Sequence, residues 1–162
     1  MKLADTRTIA ADRQTVWNAI LNADVLKSCI PGCQEMTGSP AEGFEAVVVQ
    51  KVGPVKATFK GDVAVSVIVE GESLTLSGQG KGGPAGFAKG EARVSFSDAP
   101  EGGTLLGYDV DAKVGGKLAQ LGSRIIDGFS RKLADQFFER FQIGLEPEAA
   151  EDNQDEETTA EK

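Results

Sequence analysis

The longest helical pattern of the chain is VGGKLAQLGSRIIDGFSRKLADQFFERF, residues 114–141. At about 100° per residue, apolar side chains fall on one stripe and charged side chains lie opposite. Such a helix buries its stripe against another layer of structure. The pattern therefore predicts one long surface helix that lies on a sheet. The stripe and its flanks are Leu118, Leu121, Gly122, Ile125, Ile126, Phe129, Leu133 and Phe137.

The polar side of this segment predicts ion pairs along the helix. Asp127, Arg131 and Asp135 follow one another at intervals of four residues. Oppositely charged side chains at this spacing stabilise a helix by a few tenths of a kcal/mol per pair. We therefore expect Arg131 to pair with Asp127 and with Asp135 on a solvated face.

Glycines and one amide interrupt the apolar stripe. Each glycine costs about 1 kcal/mol inside a helix, so their use predicts that another backbone or a ligand comes close. Gln136 lies within the stripe, and two interpretations are open. Either a neighbouring backbone group satisfies its amide, or the amide faces a cavity. The glycines are Gly115, Gly116, Gly122 and Gly128.

The charge of the chain is concentrated at its C-terminal end. The 162 residues carry a formal net charge of −8. Residues 145–162 contain eight acids and one lysine, so residues 1–144 are nearly neutral. An acidic segment with little apolar surface does not offset its ordering entropy. We expect one folded domain at residues 1–144 and a disordered acidic tail at residues 145–162, unfavourable for nucleic acid and anionic lipid.

Several kinds of active site are excluded by composition. The chain has no histidine, so Ser-His-Asp and Cys-His nucleophiles and histidine-bearing metal sites are absent. Its two cysteines, Cys29 and Cys33, fit neither a C-x-x-C redox pair nor a metal site, which needs further ligands. We expect both thiols to be reduced and small core groups. We therefore predict no catalytic residue, no metal and no covalent cofactor.

One sequence resembles a nucleotide-binding motif. GQGKGG, residues 78–83, spells G-x-G-x-x-G. It leads into a strand and not a helix, so no helix N-terminus is available for a pyrophosphate. Basic residues also do not cluster with aromatic residues along the chain, which argues further against nucleic acid.

The sequence predicts a cytoplasmic protein. No apolar run reaches the roughly 18 residues of a membrane span. The first residues, MKLAD, lack the hydrophobic region of a signal peptide.

The N-terminal part predicts a strand followed by two short helices. Residues 2–9 alternate weakly as a strand, and Asp12 is placed to cap a helix over residues 13–22. Asp24 is expected to cap a second helix that ends near Cys29, before Pro31. Val16, Trp17, Ile20 and Leu21 are the expected buried side of the first helix.

From residue 43 to residue 113 the apolar residues repeat every second position. This period predicts half-buried antiparallel strands. Turn sequences at residues 52–54, 70–72, 81–86 and 100–103 separate the strands closely enough for hairpins. The order predicts an α+β helix-grip fold, in which a curved antiparallel sheet of about seven strands wraps around a long C-terminal helix.

Small residues on the inward face predict a cavity between sheet and helix. Gly78 and Gly80, together with Ala88, Gly90 and Ala92, are in phase with the apolar residues of their strands. The alternative is that Gly116, Ala119 and Gly122 of the helix pack backbone to backbone on this patch. Polar groups in the inward phase would orient a ligand, or are ordinary satisfied core groups, which is favoured for Gln50 near its hairpin. The predicted ligand-binding residues are Gln50, Phe59, Val63, Gly78, Ala88, Gly90, Tyr108, Val110, Leu121, Ile125, Phe129 and Gln136.

Several stretches, taken together, resemble the carbon monoxide dehydrogenase G-subunit family. The resemblance covers residues 1–141 and follows the order of the chain. The family belongs to the START-like, Bet v 1-like superfamily (SRPBCC) with the helix-grip fold. The stretches are CIPGC at residues 29–33, VGPVKA at 52–57, GFAKG at 86–90, GGKLAQLGSR at 115–124 and ADQFF at 134–138.

The resemblance implies an accessory protein and not a catalytic one. Members are associated with molybdenum hydroxylases of the carbon monoxide dehydrogenase type and link the enzyme to the cytoplasmic membrane. The superfamily binds hydrophobic molecules such as lipids or quinones. Some relatives carry a C-terminal extension suited to membrane contact, whereas this chain ends in acidic residues. This difference argues against stable anchoring and leaves transient docking, through a partner, at the inner face of the cytoplasmic membrane.

Three hypotheses follow. The first is a non-enzymatic accessory protein that holds a quinone-like or lipid-like ligand between sheet and helix. The second is a START-like cyclase or hydrolase that uses the same cavity, for which Tyr108 is the one inward titratable group identified. The third is a ligand-free adaptor with a filled core.

Overall fold

A seven-stranded antiparallel sheet packs against one long helix. The computed structural model describes residues 1–146. The strand order is β1-β7-β6-β5-β4-β3-β2, which confirms the predicted helix-grip fold. The elements are β1 (Lys2–Ile9), α1 (Arg13–Ile20), α2 (Ala23–Cys29), β2 (Cys33–Ser39), β3 (Gly43–Val52), β4 (Val55–Val69), β5 (Ser73–Lys81), a 3-10 turn (Gly83–Ala85), β6 (Phe87–Asp98), β7 (Thr104–Gly115), α3 (Lys117–Gln120) and α4 (Ser123–Leu145).

The two short helices begin at side-chain caps. Asp12 accepts a hydrogen bond from the Thr15 amide at 3.2 Å, as predicted. The second cap is Asn22, whose Oδ1 accepts from the Val25 amide at 3.1 Å. The prediction of Asp24 as the cap is wrong, because α2 begins earlier than expected. Asp24 lies in the first turn, where a carboxylate favours the positive end of the helix dipole.

The sheet has the predicted number of strands and the predicted hairpins, but the position of one strand, β2, is not indicated by the sequence pattern. β2 pairs with β3 and forms an edge of the sheet. Its sequence, CQEMTGS, does not alternate between apolar and polar residues, so periodicity does not identify it. Pairing with its neighbour, and not burial of its own side chains, makes this segment a strand.

The predicted single helix over residues 114–141 is wrong at its N-terminal end. Val114 and Gly115 are the last residues of β7. Gly116 and Gly122 have φ angles of 72° and 89°, so they interrupt the helical path and leave α3 as a four-residue helix before α4. The apolar period alone does not report these breaks, because α3 and α4 keep apolar side chains on the same inner side.

Only one of the glycines in this segment has the expected close neighbour on another element's backbone. A Cβ at Gly116 would lie 2.6 Å from the Cα of Gly86. At Gly122 and Gly128 an added Cβ would meet nothing within 4 Å, so the prediction that another backbone comes close is wrong there. Gly122 is required by its φ angle instead.

The predicted ion pairs along α4 do not form within residues 1–146. Asp135 instead pairs with Arg7 of β1, with 2.6 Å between Nη2 and Oδ1. The other ion pair in this part of the chain joins Arg13 to Asp98. Of the three charged residues, Asp135 thus has its partner on another element.

The apolar interior is divided into two clusters. The larger cluster surrounds Trp17, Phe96, Phe138 and Phe141, where α1, α2 and the C-terminal half of α4 meet the sheet. The smaller cluster consists of Val52, Leu118 and Ile126, with Phe59, Val114, Leu121 and Phe129 packed against it. A domain of this size usually has one contiguous core and smaller satellite clusters. Some half-buried apolar residues of the middle strands belong to neither cluster.

Candidate ligand-binding site

The space between the two clusters is faced by small side chains from the middle of the sheet. Val63, Gly78 and Gly90 lie opposite one another across β4, β5 and β6, and Ala112 of β7 continues the row. Val63 and Ala112 are half-buried and belong to neither cluster within residues 1–146. On α4, Leu133 is half-buried and is also in neither cluster. These apolar side chains are therefore not part of the fully buried core.

The helix backbone does not fill this space. The α4 backbone comes closest to α2, β1 and β3 and stands away from the middle strands. A Cβ at Gly80 would meet nothing closer than the Lys60 carbonyl oxygen at 4.0 Å. The predicted alternative, in which Gly116, Ala119 and Gly122 pack on the glycine patch, is wrong. Gly116 lies against Gly86, Ala119 is exposed, and a Cβ at Gly122 would meet nothing within 4 Å.

At two positions of the patch, glycine is required for a reason that does not involve a ligand. A Cβ at Gly78 would lie 2.9 Å from the Asp62 carbonyl oxygen, and a Cβ at Gly90 would lie 2.5 Å from that of Asp111. Neighbouring strands approach these positions too closely for a side chain. Close strand packing therefore accounts for Gly78 and Gly90.

The twelve predicted residues do not form one group. Tyr108 is part of the larger cluster, and Val110 packs against it. Phe59, Leu121 and Phe129 pack against the smaller cluster. Ile125 is 40% exposed beside the β3–β4 turn, where its Cγ2 atom lies 3.5 Å from a Cβ placed on Gly53. Val63, Gly78, Ala88 and Gly90 are half-buried on the middle strands, and Gln136 is half-buried on α4. Gln50 lies at the β2–β3 end.

The three predicted polar groups differ in what they bind. Gln50 donates through Nε2 to the Pro31 carbonyl oxygen at 2.6 Å, which fits the structural interpretation that its sequence favours. The Tyr108 hydroxyl lies 3.4 Å from Nη2 of Arg7, and its ring stacks on Phe138 at 5.1 Å. The amide of Gln136 is half-buried and makes no hydrogen bond within residues 1–146. Of the three, Gln136 is therefore the one whose side chain has no hydrogen-bond partner in residues 1–146.

Arg7 is the polar residue that sequence analysis misses. It is in the inward phase of β1, and its guanidinium lies 5.1 Å from the ring centroid of Phe138. Its Nε atom is buried without a partner in the described part of the chain. Burial alone would lower the pKa of Arg7, but hydrogen bonds to Tyr108 and Asp135 outweigh it and raise the pKa. Only the position of α4 over β1 brings these residues together, so no local pattern in the sequence reports them.

The cysteine turn is structural. A Cβ at Gly32 would overlap the Val49 carbonyl, and the Val49 amide donates to the Gly32 carbonyl oxygen at 2.9 Å. Cys29 and Cys33 are free thiols, and burial raises the pKa of both. Over residues 1–146 no group of three Cys, Asp or Glu side chains is arranged to hold a metal ion.

The fold and its divided interior define a class of protein. A START superfamily protein from Mycobacterium smegmatis superimposes with a TM-score of 0.68 at 16% identity, covering 90% of this chain and 97% of that one. A conserved protein from Geobacillus kaustophilus superimposes with a TM-score of 0.83 at 25% identity, covering 90% and 95%. An uncharacterised protein from Rhizobium leguminosarum gives 0.70 at 15% identity, covering 91% and 95%. This protein therefore has the START-like helix-grip fold.

The family is more specific than the fold. The CoxG family, described as the G-subunit of carbon monoxide dehydrogenase, matches residues 6–145. The chain belongs to this family, as its sequence motifs predict. No curated protein matches the sequence. None of the helices within residues 1–146 combines the length and apolarity needed to cross a bilayer.

Proposed function

We propose that this protein is a non-enzymatic accessory protein of a molybdenum hydroxylase of the carbon monoxide dehydrogenase type. In this proposal it holds a quinone-like or lipid-like molecule between the sheet and α4, and it links the enzyme to the inner face of the cytoplasmic membrane. Membership of the CoxG family supports the partner. The division of the apolar interior into two clusters carries the proposal of a ligand.

The physical reason is packing density. Protein interiors are normally as closely packed as organic crystals, and unfilled apolar space costs stability. Val63, Ala88 and Ala112 nevertheless face inward without joining either cluster. An apolar molecule between the clusters restores the missing contacts.

The polar groups at this site suit a neutral ligand. Sites for small molecules combine an apolar lining with a few polar groups that orient the ligand. The Gln136 side chain offers a donor and an acceptor, which match a quinone carbonyl or a lipid hydroxyl. The inward residues of the middle strands carry no acid or base. They are Val63, Gly78, Gly80, Ala88, Gly90, Ala92 and Ala112.

A cavity-filling substitution tests the ligand site. Gly80→Leu places a side chain in open interior space, because no backbone atom lies closer than 4.0 Å to the new Cβ. We expect the affinity for a short-chain quinone, measured by quenching of the single Trp17, to fall on the order of tenfold, equivalent to about 1.4 kcal/mol. Native mass spectrometry of the purified protein should show a co-purified apolar molecule that this variant loses.

The control is Gly128→Leu, which makes the same change at an exposed position of α4 with nothing within 4 Å of the new Cβ. This variant should bind as the unmodified protein does. Equal binding by both variants, or a purified protein that neither retains nor takes up an apolar molecule, contradicts the proposal and favours a ligand-free adaptor.

A further inference from the structure

The outer face of the sheet brings lysines directly opposite one another. Like charges at directly opposed positions destabilise a sheet. All of these lysines are exposed, and all lie at the end of the sheet where the β3–β4 turn, the 3-10 turn and α3 are found. We call this set the basic end. Its cross-strand pairs are Lys51 with Lys56, Lys60 with Lys81, and Lys89 with Lys113.

The charges of the basic end are not neutralised locally. The two ion pairs within residues 1–146 involve Arg7 and Arg13, and neither includes a lysine of the basic end. Lys117 of α3 and Arg124 at the start of α4 add positive charge beside it. Acids appear on this face only further from the sheet end, where Asp62, Glu91 and Asp111 border the set. Repulsion is therefore maintained at one end of the molecule.

An aromatic ring lies among these lysines. Phe87 begins β6 with its side chain on the outer face, opposite Lys81 on one side and Gly115 on the other. It is 43% exposed, although a ring of this size normally gains roughly 1.5–3 kcal/mol from full burial. The fold thus combines an accessible apolar group with surrounding positive charge.

We propose that the basic end docks on a bilayer that contains anionic lipids, with Phe87 entering the headgroup region. Anionic membranes attract lysines held near their surface. All three cross-strand pairs are lysine pairs, with Lys117 and Arg124 beside them, whereas protein interfaces are enriched in arginine and depleted in lysine. A lipid surface therefore fits this composition better than an acidic protein does.

The basic end lies beside the interior in which the ligand is proposed to bind. The link between membrane docking and ligand uptake therefore rests on the proposed function. α3 covers this end of the interior, and Gly116 and Gly122 on either side of it have positive φ angles. An apolar ligand is concentrated in the bilayer and not in water. Docking through the basic end therefore places α3, which covers this end of the interior, next to the bilayer that supplies the ligand.

Vesicle sedimentation with the full chain tests the docking surface. Vesicles of phosphatidylglycerol mixed with phosphatidylcholine should bind the protein at about 50 mM salt, and binding should weaken as salt rises. Lys60→Gln with Lys81→Gln should lower the partition coefficient about twenty-fivefold, since each lysine near an anionic surface contributes about fivefold. Phe87→Ser should also weaken binding while all charges remain.

The matched control is Lys27→Gln with Lys132→Gln, which removes the same charge from exposed positions on α2 and α4. It should bind vesicles as the unmodified protein does. The basic-end variant should unfold at the same or a higher temperature, because it removes a like-charge pair. Gly80→Leu should bind ligand-free vesicles normally, so loss of the ligand site and loss of docking are separate results.

Two outcomes overturn the proposal. One is the absence of binding to phosphatidylglycerol vesicles at low salt, which leaves the basic end to an acidic protein surface. The other is equal weakening by the basic-end and control substitutions, which attributes the effect to net charge alone.

Discussion

At the scale of single residues, the partner of a polar side chain decides its role. Gln50, Tyr108 and Gln136 all lie in an inward or apolar phase of the sequence. Gln50 holds the Pro31 carbonyl, and the Tyr108 hydroxyl meets Arg7, so both act within the fold. Gln136 has no such partner in residues 1–146. One sequence signal thus corresponds to two different roles.

The two glutamines give opposite predictions for stability and binding. Gln50→Leu leaves the Pro31 carbonyl without its 2.6 Å hydrogen bond, so the free energy of unfolding should fall by about 1–3 kcal/mol. Gln136→Leu removes no hydrogen bond within the described residues and should change stability little. It should instead weaken quinone binding by about 0.5–1.5 kcal/mol. Urea unfolding and Trp17 quenching measure the two quantities.

The result that contradicts this assignment is the reverse pattern. If Gln136→Leu destabilises the protein and leaves quinone affinity unchanged, Gln136 is a core group and not a ligand contact.

At the scale of elements, two glycines divide the C-terminal helical segment. Gly116 is held against Gly86, where a Cβ does not fit. Gly122 has φ 89° and ψ 159°, a conformation that residues other than glycine rarely adopt. The breaks set α3 across the end of the interior while α4 runs along it.

Identical substitutions at two glycines should therefore have opposite effects. Gly122→Ala should lower the free energy of unfolding by about 1–3 kcal/mol, because only backbone strain opposes the new methyl group. Gly128→Ala lies inside α4 with open space around it and should raise stability by about 0.5–1 kcal/mol. Thermal unfolding compares the two variants. If both variants lose stability, the space around Gly128 is not open, and the expectation for Gly128→Ala is contradicted.

At the scale of the whole molecule, negative charge is separated from the basic end. The chain has a net charge of −8, yet residues 147–162 contain seven acids and one lysine, so residues 1–146 have a net charge of −2. The prediction of an acidic tail concerns residues 145–162, and residues 147–162 lie outside the part that the structure describes. Their charge still acts on any anionic surface that approaches the protein.

The acidic segment should limit docking through its charge. Replacement of its seven carboxylates by the corresponding amides in the full chain should strengthen binding to phosphatidylglycerol vesicles about two- to fivefold at about 10 mM salt, where screening is weak. The gain should disappear near about 0.15 M salt. An unchanged affinity at low salt would show that these residues do not oppose membrane contact. Vesicle sedimentation across a salt series provides the measurement.

Local patterns in the sequence are enough to predict the fold class and most of the elements. A period of two from residue 43 to residue 113 defines hairpins, and a helical stripe over residues 118–141 defines the layer that covers them. Each strand and helix presents its own apolar face wherever it lies, so these signals survive without knowledge of the neighbours. Val16, Trp17 and Ile20 are buried as their spacing predicts.

The surfaces that bear on function are formed by contacts between distant parts of the chain. Arg7 meets Asp135 across 128 residues of chain, and the lysines of the basic end become neighbours through strand register. The division of the core likewise depends on how far α4 stands from the middle strands. Distances between elements are set by packing and register over the whole domain, and no local period in the sequence carries that information.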